Sequence, residues 1–566
     1  MLDRRLFLGG LCASLPVIAL PGALRAQARR PRLHAMVVGI NKYVGAGPSG
    51  KVLDLEGCIN DANDIARQVA RLDPDVRVLG ARDEPVTRAS FFSAWRSMLA
   101  AARKDDTLFL TYAGHGGQIA EACAGNEDDG LDETLILTDF DVRHTADRVE
   151  HIIDDELATL WAAAAEKDLR VVFIADSCFS GTAYRRIELA DRKRYRTIRS
   201  YQLAPGGAPP VSCRQQAVPE IPPNLLFIAG SQENEPVPEM ELNGVRRGAL
   251  SVAVARALEG GADTNRDGII TGDELTDYVL SYVEALADSS QHPTASFQGA
   301  NRSTPNEVVG ASVRGALVVL RDGGTTAPVV QGPAPPPPLA PVRLQIRGLT
   351  AAERARIASS LTNATVVRQG EPSALIWDPA QRLVFNDQGM RIAEEIGPGE
   401  LQRVVDRRRL MDRIVQMSAG RGLSVTIHLF GQESSPASIA DATHREGRTL
   451  QIRIGGITEG HYFTVVNFTG SGKVELAEPS EKIVRARPHV QFNSRHLEPI
   501  GVEVRSPFGA DHVVAVAGQR RLTQLMPAIA KAHGQYAVAA VLEALDREAA
   551  GQALQVGFKG IYTTRA

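Results

Sequence analysis

The stretch Val171-Val172-Phe173-Ile174-Ala175-Asp176-Ser177-Cys178-Phe179-Ser180-Gly181 decides the fold. Its first five residues are apolar without a break, which suits a strand buried on both faces, and such strands occur in parallel sheets covered by helices. Ala35–Ile40, Thr107–Tyr112 and Leu225–Ala229 are runs of the same kind. Helical patterns lie between them, so this part of the chain is expected to be α/β, a largely parallel sheet flanked by helices.

Chemistry should collect where such strands end, because the chain turns there and sets side chains over the sheet edge. Two of the runs end in reactive residues, one at Tyr112-Ala113-Gly114-His115-Gly116-Gly117 and the other at Asp176-Ser177-Cys178. A thiol is mostly protonated at neutral pH, so a nucleophilic Cys needs an imidazole to take its proton and later protonate the leaving amine. Neighbouring glycines admit a substrate close to the backbone and leave N–H groups to hold an oxyanion. A single Cys or His is ordinarily structural. The two together, each in a glycine-flanked turn after a buried strand, point to a catalytic dyad.

The 566 residues are 44% hydrophobic and 23% charged, which excludes wholesale disorder and rod-like folds. A net charge of −3 leaves no global basic field for nucleic acid or anionic lipid. Five Cys without a C-x-x-C pair exclude a disulfide scaffold and a zinc ribbon. Residues 1–28 have the layout of a secretory signal, with Arg4-Arg5 before Leu6-Phe7-Leu8 in the manner of twin-arginine signals, although Asp3 stands where Ser or Thr is usual. The expected location is periplasmic or secreted, with Cys12 lost with the signal. Prolines interrupt this stretch before it reaches the roughly 20 residues of a membrane span. Residues 322–342, with Pro335-Pro336-Pro337-Pro338, read as a semi-rigid linker between an α/β domain at 33–321 and a second domain at 343–566. In that second domain helical stretches near Ala351–Leu361, Glu400–Met417, Leu522–Lys531 and Gln535–Leu545 accompany alternating segments such as Ser424–Leu429 and Tyr462–Val466, which predicts α+β with an antiparallel sheet.

In its motifs the α/β domain resembles the caspase-like cysteine peptidases of the metacaspase and bacterial orthocaspase branch. The carriers are Val37-Val38-Gly39-Ile40-Asn41-Lys42-Tyr43, Leu55-Glu56-Gly57-Cys58-Ile59-Asn60-Asp61-Ala62, Tyr112-Ala113-Gly114-His115-Gly116 and Asp176-Ser177-Cys178, in the family's order. The resemblance implies Cys178 as nucleophile, His115 as acid/base, and the N–H groups of Cys178 and Gly116 as the oxyanion hole. Phe179 departs from the family's usual His. Legumains and clostripains share the strand-His and strand-Cys layout, and Asp61 with Asp176 favours the metacaspase branch. The family builds an acidic pocket from the residues that are Asp61 and Asp176 here, which implies cleavage after Arg or Lys. A buried carboxylate is costly unless a cation pairs with it.

That specificity would make the basic segment Arg185-Arg186, Arg192-Lys193-Arg194-Tyr195-Arg196 and Arg199 a self-processing linker. Asp263, Asn265, Asp267, Gly268, Ile269 and Glu274 fit the EF-hand loop D-x-[DN]-x-[DN]-G-x5-E, so calcium is the expected cofactor, bound weakly because no second loop pairs with it. The acidic residues Glu127, Asp128, Asp129, Asp132, Glu133, Asp154 and Asp155 are a second candidate calcium location. Gly470-Ser471-Gly472-Lys473 lacks the other residues of a phosphate loop and reads as a hairpin turn. His34, His144 and His151 have no metal-ligand spacing and are expected to be structural or on the surface. The second domain carries no visible catalytic set, and a protein or cell-envelope partner is its expected ligand. The runner-up for the whole chain is a caspase-fold scaffold without proteolysis, against which the intact dyad argues.

Overall fold

The computed structural model describes residues 31–43, 52–72, 76–80, 82–121, 131–140, 150–178, 195–198, 222–231, 237–242, 245–263, 267–287, 291, 293–297, 316–320, 336–369, 371, 373–387, 389–418, 423–429, 443–457, 460–478 and 500–565. The expected signal, Asn265, Phe179 and the basic residues from Arg185 to Arg194 lie outside them.

Six strands form the central sheet: β1 (Leu33–Gly39), β2 (Val76–Leu79), β3 (Thr107–Ala113), β7 (Arg170–Asp176), β8 (Leu225–Ala229) and β12 (Thr294–Phe297). Their order is β12-β8-β7-β3-β1-β2, and every pairing is parallel except that of β12 with β8. The unbroken apolar runs follow from this position, since alternate residues enter different cores. Ala35, Val37, Phe109, Val172 and Ile174 pack with Ala62, Ile65 and Val69 of helix α1 (Cys58–Leu72) and with the helices Ala249–Arg256 and Gly272–Leu286. Met36, Val38, Leu108, Leu110 and Phe173 pack on the other face with Phe91, Trp95 and Met98 of α2 (Arg88–Ala101) and Trp161 of α3 (Asp154–Ala165). Thr87 starts α2 with a capping box, and an edge-on pair, Trp95 and Trp161 with centroids 5.2 Å apart, joins α2 to α3.

Three short antiparallel strands, β4 (Gly116–Ala120), β5 (Leu131–Ile136) and β6 (His151–Ile153), extend from the carboxyl end of β3. A hairpin of β9 (Glu239–Leu242) and β10 (Val245–Gly248) follows β8, and β11 (Ile269–Thr271) pairs with β13 (Ala316–Val319).

The C-terminal region is α+β. One five-stranded sheet is mixed, starting with the parallel pairs that Val342–Ile346 makes with Ala364–Val367 and Leu375–Asp378. Two further sheets are mainly antiparallel, with Gly509–Gly518 at the centre of the larger one. The expected helices form at Ala351–Ser360, Leu401–Met417, Leu525–Ala532 and Val538–Gly551. Gly470–Lys473 is indeed the turn of a hairpin, in which Gly472 takes a φ of 86° that suits glycine. Leu410, Ile414, Val514 and Phe558 of this region share a hydrophobic cluster with Val279, Tyr282 and Val283 of the helix Gly272–Leu286. Tyr282 Oη lies 3.2 Å from Ser418 Oγ, and His512 Nε2 lies 2.6 Å from the Ala285 carbonyl. The two regions therefore share one continuous core.

Candidate active site

Ala113 of β3 lies in register with Gly39 of β1 and Asp176 of β7, so three parallel strands end level. His115 and Cys178 each stand two residues beyond that line. Both are buried, at 1% exposure, and neither Cys178 nor Cys58 is in a disulfide.

The His115 ring is fixed on several sides. Its Nε2 lies 2.6 Å from the Leu53 carbonyl oxygen, and because a carbonyl only accepts, Nε2 carries the proton. That tautomer leaves Nδ1 as the basic nitrogen, and Nδ1 makes no hydrogen bond among the described residues. The His115 N–H donates to Tyr43 Oη at 2.8 Å, and the Tyr43 ring packs against the imidazole with centroids 4.8 Å apart. A Cβ on Gly114 would press on the hydroxyls of both Tyr112 and Tyr43, so glycine is required there for space. Burial pulls the His115 imidazole down to about 4; the Leu53 carbonyl opposes this and the Arg196 guanidinium adds to it. At neutral pH the ring is an uncharged base.

The chain's own Arg196 lies between the two strand ends and the two aspartates. Its carbonyl oxygen accepts from the N–H of Cys178 at 3.1 Å and from the N–H of Gly116 at 3.0 Å. Its N–H donates to the Val237 carbonyl at 2.8 Å, and the Ile198 N–H donates to the Gly116 carbonyl at 3.0 Å. Tyr195 bridges Pro238, and Thr197 bridges Gly116. The segment thus lies as an extra strand across the site.

The Arg196 guanidinium is fully buried among carboxylates. Nη1 lies 2.8 Å from Asp176 Oδ2, Nη2 lies 2.5 Å from Asp61 Oδ2, and Nη2 is 3.4 Å from Glu239 Oε1. Burial disfavours its charge, yet the acidic neighbours hold its pKa well above the usual arginine value. Burial pushes the Asp61 carboxyl up to about 7, against the pull of Arg196. The pocket is braced from outside. Gly248 N–H donates to Asp61 Oδ2 at 3.0 Å, and Ser251 donates to Asp176 Oδ2 through N–H at 2.9 Å and Oγ at 2.6 Å. A Cβ on Gly248 would collide with Asp176 Oδ2 and Arg196 Nη1. Asp61 lies in the first turn of α1 and also faces the guanidinium, so its helix position and its pocket position coincide.

The fold therefore brings Cys178, His115, Gly116, Asp61 and Asp176 together around Arg196. Glu239, Ser251 and Leu53 were not legible. Glu239 sits 61 residues beyond Cys178 in the chain, and Leu53 acts through a carbonyl that every residue has. Cys58 belongs to the pocket wall; burial holds its thiol well above the usual range, which makes it inert. His34 is structural, with Nε2 3.1 Å from Asp106 Oδ2.

Part of the EF-hand-like loop is described. Gly268 has φ of 81°, its N–H donates to Asp263 Oδ2 at 3.1 Å, and the Ile269 N–H donates to Asp267 Oδ1 at 2.8 Å. Thr271 caps the following helix, and Glu274 Oε2 accepts from the Thr271 N–H at 3.0 Å. The Gly268 turn is the kind a calcium loop needs, but among the described residues no three acidic, His or Cys side chains converge as a ready metal cluster. Of the second acidic candidate, Glu127, Asp128 and Asp129 lie outside the described residues.

A Cys and a His at the ends of neighbouring parallel strands, with two N–H groups converging on a carbonyl, have the layout of a caspase-like cysteine peptidase site. Residues 33–186 match the family model described as metacaspase, peptidase C14 domain. The segment is similar to Metacaspase-1 of Mycosarcoma maydis, at 38% identity over 157 residues, 26% of this chain and 36% of that protein. It is also similar to Metacaspase-1 of Cryptococcus neoformans, at 34% over 160 residues, 26% of this chain and 32% of that protein. The chain thus spans about a third of the length of these curated relatives. A crystal structure of a Geobacter sulfurreducens protein aligns over 51% of this chain and 100% of its own, with 23% identity and a TM-score of 0.33, too low to bear on function. Residues 33–186 are thus similar to the metacaspase peptidase domain, the family that the motifs resemble.

Proposed function

We propose that the protein is an endopeptidase that cleaves after Arg or Lys, with Cys178 as nucleophile and His115 as acid and base. One observation carries the reading: the Arg196 guanidinium is held by Asp61, Asp176 and Glu239 while its carbonyl oxygen rests on the N–H groups of Cys178 and Gly116. That is the pose a cationic substrate residue needs. His115 Nδ1 takes the Cys178 proton, and the thiolate attacks the carbonyl carbon. The two N–H groups stabilise the oxyanion, the C–N bond breaks, and His115 returns the proton to the leaving amine. Water, deprotonated by His115, then cleaves the thioester, giving a free carboxylate and the restored thiol.

The same pose supports self-processing at Arg196–Thr197. Until that bond is cut or the segment withdraws, the pocket is filled. Calcium at the loop of Asp263, Asn265, Asp267, Ile269 and Glu274 would supply charge and rigidity between two helices, and the Gly268 turn supports it. Export rests on the sequence of residues 1–28; no helix among the described residues is long and apolar enough to cross a membrane. The C-terminal region, which shows no reactive set in its sequence, keeps a protein or envelope partner as its proposed ligand.

The test is hydrolysis of peptidyl-Arg, peptidyl-Lys, peptidyl-Asn and peptidyl-Asp reporters by wild type and Cys178→Ala, with and without calcium. Cys178-dependent cleavage confined to the basic reporters is expected. Absence of any Cys178-dependent hydrolysis would overturn the reading.

A further inference from the structure

The third carboxylate of the pocket, Glu239, sits on a hairpin that the C-terminal region grips. A two-stranded hairpin is marginally stable alone. In the β9–β10 pair, Glu239 lies opposite Gly248, and Glu241 lies opposite Arg246. The first pair forms the pocket end: Glu239 accepts from the N–H groups of Glu56 at 2.8 Å and Gly57 at 2.7 Å and faces Arg196, while Gly248 donates to Asp61.

The second pair meets the C-terminal region. Asp387 Oδ2 accepts from the Glu241 N–H at 3.1 Å and lies 3.4 Å from Arg246 Nη1. Arg246 Nη1 in turn donates to the Glu239 carbonyl at 2.9 Å. Arg408 Nη2 donates to the Glu241 carbonyl at 3.0 Å, and Arg343 Nε lies 3.4 Å from Glu241 Oε2. The outward N–H and C=O of Glu241 are edge groups that β10 does not pair, and both are buried against side chains more than 140 residues away. An unpaired buried edge group is costly, so these bonds hold the strand in one place.

We infer that Asp387, with Arg408, is a positioning residue for substrate specificity: it fixes β9 so that Glu239 reaches the arginine side chain. The C-terminal region is thereby part of the peptidase's recognition machinery. Asp387 touches neither the substrate nor the dyad, and acts through Arg246 and the β9 backbone. Glu239 meets the guanidinium equally before and during reaction, so misplacing it raises KM and leaves kcat nearly unchanged. A residue serving only to hold two regions together would instead lower the active fraction, and with it kcat.

The inference rests on the arginine-pocket reading above. Its test uses the full chain carrying Arg196→Ala, which removes the chain's own guanidinium from the pocket, with peptidyl-Arg reporters. Asp387→Ala is expected to raise KM roughly tenfold, the size of one charge-assisted bond, at near-constant kcat. Asp387→Asn, which keeps an acceptor for the Glu241 N–H, should fall between, and it serves if Asp387→Ala fails to fold. In a Glu239→Gln background the Asp387 change should add little, because both act on one contact. Unchanged KM in both Asp387 variants, an effect confined to kcat, or full additivity with Glu239→Gln would overturn the inference while leaving Cys178-dependent hydrolysis intact. Loss of all hydrolysis in the Arg196→Ala parent would instead overturn the reading it rests on.

Discussion

The N–H of Cys178 donates to the carbonyl oxygen of Arg196 at 3.1 Å, so the backbone of the proposed nucleophile holds a peptide carbonyl of its own chain. In the proposed reaction this is the peptide bond that the thiol would attack, next to an arginine whose side chain is already seated. Incubated wild type is expected to yield a new N-terminus at Thr197, read by N-terminal sequencing, and Cys178→Ala should stay uncut there. Arg196→Ala should lose this cleavage and move any remaining cuts to other basic residues. Identical fragments from wild type and Cys178→Ala would defeat the prediction.

Gly248 lines the pocket where a methyl group would strike Asp176 Oδ2 and Arg196 Nη1. Gly248→Ala should therefore cut kcat/KM for peptidyl-Arg by roughly a hundredfold, the cost of breaking a buried charge pair. Titration of Cys178 with a thiol reagent should still show a reactive thiol. An unaffected kcat/KM would show that the pocket lies elsewhere.

The pH dependence of binding and of chemistry should separate. Burial raises Asp61 to about 7 with Arg196 in place, and with the pocket empty the pull of Arg196 is gone, so Asp61 protonates still more readily. Protonation removes charge that the substrate cation needs. KM for peptidyl-Arg is accordingly expected to rise as pH falls toward about 7, the value with the pocket filled, and to level off below it. His115, lowered to about 4 by burial, remains an unprotonated base over that range, so its own acid limb on kcat lies near 4. A pH-independent KM between 7 and 9 would contradict the assignment.

Tyr43 Oη is the acceptor for the His115 N–H. Tyr43→Phe leaves that buried N–H unpaired, a cost of about 1–3 kcal/mol. A lower Tm and a kcat reduced about tenfold, with KM little changed, are expected, since the ring positions the base and not the substrate side chain.

Calcium, if held by the loop that starts at Asp263, should raise Tm with increasing concentration, because a ligand of the folded state stabilises it by mass action. Asp263→Ala and Glu274→Gln should each abolish the shift. A Tm unmoved by millimolar calcium in the wild type would remove this site, and equal shifts in all three proteins would place the ion elsewhere.

Several of these features were legible in one dimension. The runs around Val37, Phe109, Val172 and Leu226 are apolar throughout because both faces of the sheet are covered, so their pattern alone implied the parallel sheet and the ends at which His115 and Cys178 stand. The Gly470–Lys473 turn and the helix Leu401–Met417 were equally readable from local chemistry. Arg196 was visible only as one cation among several in a basic segment. Glu239 and Asp387 carried no sign at all.

By itself, the sequence determined the buried parallel strands and the ends at which His115 and Cys178 stand, because unbroken apolar runs are a local pattern that short-range physics enforces; it offered Asp61 and Asp176 as a pocket only through the family resemblance of its motifs. Only the tertiary structure decided which arginine fills the pocket, that Glu239 joins Asp61 and Asp176, and that Asp387 reaches the hairpin bearing it. Those contacts join residues far apart in the chain, and burying a charge against a distant partner is a property of the packed core, which no local spacing records.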